Sequence, residues 1–365
     1  MYEKRGFSGA DGGKAQELPG FFTVPDENTT IPAQIHAEET VELPEIQTMS
    51  GYIRAHYEEE IVAELFRRLR CGEVGVTCSG KRLYAIAPAA RMSGHPVAIS
   101  PLTGKIIWVG FRREGLYFVE ADLVIETEVE VCGGILEGPQ HVCQRYRADM
   151  CIAMESGMEV EYGNFRIYRY EREKQGVRLD DYLIPVFKWE DIEKEAEDII
   201  FHITPEGLDD PQYLQPDVFA ERLGLKTVSL PLYRRDRTAS ILFFEAGEVM
   251  SYQDTQHPQL PPVPVRVEAN TIVLNTMGGF NSDRAIMHEC FHYMEHRLFF
   301  QLQQLHNSDI LEIAKWKRIA VRKREHNPVE WMEWQAHVGS QCLQMPGTHL
   351  RERLREELDG ENPTG

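Results

Sequence analysis

His288-Glu289-Cys290-Phe291-His292 is an HExxH sequence set inside a run of helical periodicity. Ile286, Cys290, Phe291, Met294 and Leu298 recur around it at the spacing of an amphipathic helix. Asn281, Ser282 or Asp283 can cap its start. Residues four apart on a helix lie one turn from each other on one face. His288 and His292 can therefore present both imidazoles to a single ion. Glu289 is the next residue around the helix from His288, so it can reach a water on that ion without ligating it. A zinc ion in such a site needs a third protein ligand and keeps a fourth position open. The motif thus demands a second element packed against its helix.

The segment NPVEWMEWQAHVGSQCLQMP is the expected second helix. Asn327 suits the N-cap, and Pro328 suits the first helical position. Glu330 can complete a capping box with Asn327, which gives it a local task. Glu333, one turn further in, has none and is the expected third ligand. Ala336, Gly339 and Ser340 are small enough to let this helix approach the first. His296 is the rival ligand, because it shares a face with His292. Three histidines on one straight helix would span about 12 Å, too far for one ion. In the extended motif HExxHxxGxxH the third histidine falls where this chain has Leu298.

The rest of the chain divides by texture, and the expected fold class is α+β. Residues 1–48 carry nine acids against three bases, with Pro19, Pro25, Pro32 and Pro44 interrupting any regular element. They read as an acidic, disordered leader, or as an arm that docks elsewhere. Residues 49–185 read as one helix followed by a β-rich domain. The helix stripe is Ile53, Tyr57, Ile61, Leu65 and Leu69, and Gly72 is placed to stop it. Runs such as KRLYAIA, KIIWVGF, GLYFVEADLVIETEVEV and NFRIYRYE then read as strands. No motif marks this region; His95, His141, Cys132, Cys143 and Cys151 fit no compact zinc spacing. Residues 186–350 read as the HExxH-bearing domain. It opens with a helix over WEDIEKEAEDIIFHI and a shorter one over PDVFAERLGL. Strands follow at KTVSLPL and TASILFFEA, then a polar loop over 247–264, then a strand at VRVEANTIVLN. That last strand is expected at the sheet edge, above the site. Residues 351–365 are a charged tail.

Composition narrows the function classes. With 39 basic and 58 acidic residues the chain carries −19, which disfavours direct nucleic-acid binding across its surface. No stretch approaches 18 apolar residues, so no membrane span is expected. The start has no apolar secretory segment. Seven scattered cysteines with no CxxC argue against a disulfide framework and point to a reducing cytoplasm. The run KWKRIAVRKR, with Lys315, Lys317, Arg318, Arg322, Lys323 and Arg324, is a solvated helix face or a contact for an acidic segment.

The HExxH helix, the later Glu333-x-x-Ala336 and the terminal Met345-Pro346 resemble the ImmA/IrrE metallopeptidases. The resemblance covers about residues 186–350. It implies a zincin-like domain: the HExxH helix, a ligand-bearing second helix and a small mixed sheet. It implies zinc held by His288, His292 and Glu333, with Glu289 as general base. It also implies cleavage of a protein substrate, a helix-turn-helix transcriptional repressor in mobile-element or stress control. Two positions depart from the family pattern. His337 stands where the family has Asn or Asp, and Gly339 stands where it has Phe. The connection is also long: thirty-five residues separate His292 from Pro328.

Peptide hydrolysis at such a site needs a donor for the developing oxyanion; Tyr293, His296 and His337 are candidates. His337, one turn from Glu333, can instead orient a ligand. Cys290 reads as a small buried apolar residue, or more sharply as a redox-sensitive thiol beside the metal. The alternative function is a regulatory protein-binding module built on an inactive or latent zincin fold.

Overall fold

In the computed structural model the described residues are 46–78, 81–84, 98–107, 110–112, 118–132, 140–154, 157–169, 177–209, 214–233, 238–306 and 328–360. Nearly all of the acidic leader, His95, the basic run at 315–324 and the expected cap Asn327 lie outside them. The described residues belong to one compact unit, and the fold is a mixture of helix and sheet, α+β in class.

Helix α1 (Met49–Cys71) begins where the Thr48 hydroxyl accepts from Gly51 N, and it ends where Gly72 takes the left-handed conformation at φ 78°. Its stripe is buried at Ile53, Ile61, Leu65 and Leu69. Tyr57 is half-buried and donates to Met158 O at 3.0 Å. Strands β1 (Gly75–Cys78) and β2 (Lys81–Tyr84) pair as a hairpin. A six-stranded sheet follows: β3 (Ala98–Ile107), β4 (Gly110–Arg112), β5 (Phe118–Cys132), β6 (Gln140–Ala153), β7 (Glu159–Ile167) and β8 (Val177–Leu179). Its order is β7-β6-β5-β4-β8, with β3 also paired to β5.

Strand β5 gives every second residue to the core, with Thr127 the polar exception. Val119, Ala121, Leu123, Ile125, Val129 and Val131 point inward, opposite the buried Tyr146, Ala148 and Ile152 of β6. The same core takes in the α1 stripe and two residues from beyond the HExxH motif, Leu298 and Leu302. The β-rich region and the motif's own continuation thus share one apolar interior.

The second half holds α2 (Trp189–Ile203), α3 (Glu206–Asp209), α4 (Pro216–Arg222), α5 (Ser282–Glu295), α6 (Arg297–His306), α7 (Pro328–Gln344) and α8 (Gly347–Gly360). Its strands are β9 (Lys226–Leu230), β10 (Ser240–Phe243), β11 (Gly247–Ser251), β12 (Val263–Val267) and β13 (Thr271–Asn275). Three sequence expectations change here. The TIVLN strand, β13, is central rather than an edge: the order is β10-β13-β9, antiparallel to β10 and parallel to β9. Its continuous apolar run is the pattern of a strand covered on both faces. The stretch expected as a loop over 247–264 opens and closes as a hairpin, β11 against β12, which buries Val249 and Val267 in a small cluster with Ile241 and Phe243. The expected long HExxH helix breaks at His296 (φ −112°, ψ 5°) and resumes as α6. Part of the charged tail, through Gly360, is helical, and its side chains over 351–358 are exposed. Among the described residues no helix is long and apolar enough to cross a membrane.

Candidate metal centre

Asn281 is the residue that caps α5, its side chain accepting from Arg284 N at 2.9 Å. Helices α5 and α7 then lie against each other with almost no gap. A Cβ on Gly339 of α7 would fall 2.1 Å from the Phe291 ring of α5, so only glycine permits this approach. Phe291 and Ala336 are fully buried in the same interface.

That approach brings the three expected ligands together. His288 Nε2 lies 3.1 Å from His292 Nε2. The Glu333 oxygens lie 3.4 Å from each of these nitrogens, one oxygen facing each ring. Among the described residues, His288, His292 and Glu333 are the group whose donor atoms could hold a metal ion, all within 4.8 Å of one another. Neither Cys143 nor Cys151 joins such a group among those residues. Four donors placed tetrahedrally at the usual Zn–N and Zn–O lengths stand about 3.3 Å apart. The nitrogen pair at 3.1 Å is close to that separation, and the carboxylate reaches the two rings through different oxygens, each at 3.4 Å. Two nitrogens and one carboxylate are also the donor set zinc accepts at sites with an open fourth position.

The two imidazoles are held differently. His292 is fully buried, and burial pushes its pKa below the usual histidine value, against the opposing pull of Glu333. It stays neutral, the form that ligates. His288 is partly open, with 16% of its side chain exposed, and Glu333 is likewise open at 26%. The ion would therefore sit between a sealed wall and an accessible rim.

Glu289 belongs to the sealed wall, at 1% exposure. Its Oε1 accepts from the Ser240 hydroxyl at 2.7 Å, while Oε2 is buried without a hydrogen-bond partner. A lone buried carboxylate oxygen is costly unless something meets it. Sequence reading overlooked Ser240, although a serine opening a fully buried strand requires a partner.

The three oxyanion candidates separate. His296 is fully buried behind His292: its Nδ1 lies 2.9 Å from His292 Nδ1, and its Nε2 lies 2.9 Å from Gln335 Oε1. Tyr293 is 6% exposed and stacks on Phe244, with the Arg297 guanidinium 4.9 Å over its ring. Neither stands on the open side, and both are corrected from oxyanion donors on that ground: His296 is hydrogen-bonded behind His292, and Tyr293 is packed against Phe244 and Arg297. His337 stands on the exposed side. Arg284 Nη2 approaches its two ring nitrogens at 3.1 and 2.9 Å, and Gln341 Nε2 lies 3.2 Å away. Partial burial, then the Arg284 charge, hold His337 below the usual histidine pKa. Arg284, one turn before His288, was also missed.

Cys290 is fully buried, and burial followed by the Glu289 charge pushes its thiol well above the usual value. Thiolate chemistry is therefore suppressed there, which removes the basis for a redox sensor. At the far end of α5, Glu295 is 3% exposed and accepts from Arg112 of β4 at 2.5 Å. Arg112 also donates to Glu195 of α2 at 2.7 Å. The guanidinium thus ties the end of the motif helix to the six-stranded sheet.

Comparison of the chain with protein-family models, with curated proteins and with solved structures returns no match.

Proposed function

We propose that this chain is a zinc-dependent metallo-endopeptidase, with a zincin-like arrangement of α5, α7 and the sheet β10-β13-β9. One observation carries the reading: two imidazoles and a carboxylate converge within reach of one ion, and a buried glutamate from the same helix as the imidazoles stands beside them. The resemblance to the ImmA/IrrE pattern supports it. The departure at Gly339 is compensated in space, because the Phe291 ring comes from α5 to fill the place a Cβ on α7 would take.

His288, His292 and Glu333 would hold the zinc, which would supply Lewis acidity for a water and for a peptide carbonyl. Ser240 fixes Oε1 of Glu289, which leaves Oε2 as the working atom. Glu289 takes the proton of the attacking water and returns it to the leaving amine. On the open rim, Arg284 and His337 face the developing negative charge, and Arg284 is the stronger donor because it is always charged. With β13 central, β10 is the edge strand nearest the base, since Ser240 is its first residue.

The substrate is a protein or peptide; a helix-turn-helix repressor is the partner the resemblance suggests. The test compares wild type with Glu289→Gln for bound zinc and for cleavage of candidate repressors. Zinc in both and cleavage by wild type alone is the expected result. Equal cleavage by the two proteins would remove Glu289 from the reaction.

A further inference from the structure

The hydrogen bonds behind His292 can be read in only one direction, and they end on a proline. Gln335 is fully buried, and its Nε2 lies 2.7 Å from the Pro185 carbonyl oxygen. A carbonyl only accepts, so the amide NH₂ of Gln335 must face Pro185. Gln335 Oε1 then faces His296 Nε2 at 2.9 Å, and this nitrogen must carry the proton. His296 is fully buried, and its hydrogen-bond partners are an amide and an imidazole with no carboxylate among them, so a charged ring would be costly there and it is neutral. With its proton on Nε2, its Nδ1 has only a lone pair. His292 Nδ1, 2.9 Å away, must therefore donate. What remains at His292 Nε2 is a bare lone pair, on the side where His288 and Glu333 converge.

We propose that His296 and Gln335 are positioning residues that fix the His292 proton on Nδ1, so that Nε2 is set for a metal before any ion arrives. The inference rests on the metal-centre reading given above. It also gives the chain's third motif histidine a task other than ligation. Metal-bound histidines ordinarily give their second N–H to a carboxylate, a carbonyl or a water. Here an imidazole and an amide carry that bond inward to a carbonyl.

The carbonyl at the end is itself held. The Asp180 carboxylate accepts from Tyr182 N and Ile184 N, both at 2.9 Å, and Leu183 takes a left-handed conformation at φ 61°. Asp181 accepts from Ser50 N at 2.9 Å and from the Ser50 hydroxyl at 2.5 Å, at the start of α1. The relay therefore terminates in a braced turn between β8 and α2, anchored on the β-rich half.

The test uses the full chain. Nitrogen-15 NMR of the imidazoles in metal-free wild type should show His292 protonated at Nδ1 and His296 at Nε2. Zinc affinity is then measured by competition with a chromophoric chelator for wild type, Gln335→Leu, His296→Leu and His296→Asn. The two leucine variants should weaken zinc binding by about 10–100-fold. His296→Asn places an acceptor oxygen near the former Nδ1 and should recover most of that loss. A merely structural role would not distinguish asparagine from leucine in this way. His292 protonated at Nε2 in the metal-free protein would overturn the proposal even if every variant failed to fold. So would leucine variants that bind zinc as tightly as wild type. If wild type binds no zinc, the metal reading fails, and the NMR result still decides the relay.

Discussion

The inner wall and the outer rim of the candidate metal centre are built from opposite materials. On the inside, His292, His296 and Gln335 are fully buried and Glu289 nearly so, and each is fixed by a direct bond to another buried group. On the outside, His288 and Glu333 are partly open, and Arg284 and His337 are exposed. Buried polar groups hold their geometry because a lost bond there is costly, whereas exposed ones can exchange partners with water or substrate. The contrast assigns accuracy to the wall and access to the rim. The metallopeptidase proposed above would need both, on opposite sides of one ion.

The comparison breaks most completely if a ligand is removed. Glu333→Ala should lower zinc affinity by more than the roughly 100-fold expected for the relay residues behind His292. Chelator competition reads this directly. Glu289→Gln should keep zinc and reduce cleavage by about 10²–10⁴-fold, the range for a lost general acid–base group. Arg112→Met leaves Glu295 and Glu195 without their cation, and removing one partner of a buried ion pair costs about 3–5 kcal/mol. Chemical denaturation should show that loss; an unchanged midpoint would mean that the sheet does not brace α5. Gly339→Ala forces a methyl group against Phe291. It should cost about 1–3 kcal/mol by overpacking and weaken zinc binding, because the ligand helices must part.

The smallest expected effect concerns the braced turn. Burial raises the Asp180 pKa from 3.8 to about 6. The folded state therefore holds this proton more tightly than the unfolded state does. Its ionisation then lowers stability as pH rises from about 4 to about 6. Asp180→Asn removes that titration and keeps an acceptor for Tyr182 N and Ile184 N. Its melting temperature relative to wild type should climb across this window and level off above it. A difference that is flat with pH would contradict the assignment.

How much was legible in the sequence follows the range of the contacts involved. The HExxH spacing is a property of five consecutive residues on one helix, so it could be read directly. Glu333 could be chosen because the sequence offers Glu330 a capping task with Asn327 and leaves Glu333 without one. The α1 stripe and the α2 boundaries depend on local periodicity, and both appear at the expected residues. What escaped depends on pairing across distance. β13 reads as an edge only until β9 and β10 close on both sides of it. The β11–β12 hairpin was hidden by the prolines at 258, 261 and 262 between its strands, and by Pro264, which sits in strand opposite Met250. Ser240, Gln335 and Arg112 act 49, 39 and 183 positions from their partners at the site. No spacing rule reaches that far, although a polar residue inside an apolar run is a local sign that a partner exists. His296 was rejected as a ligand because a straight helix carries it too far. The helix bends at that residue, and the ring is turned to His292 rather than to the ion site.

The central claim is that His288, His292 and Glu333 form one metal site in the folded chain. Metal content by mass spectrometry decides it, on wild type and Glu333→Ala purified without chelators. The account predicts about one zinc per wild-type chain, the stoichiometry of a single site with three protein ligands, and little in the variant. A folded wild-type protein with no zinc, or equal zinc in both proteins, would contradict it.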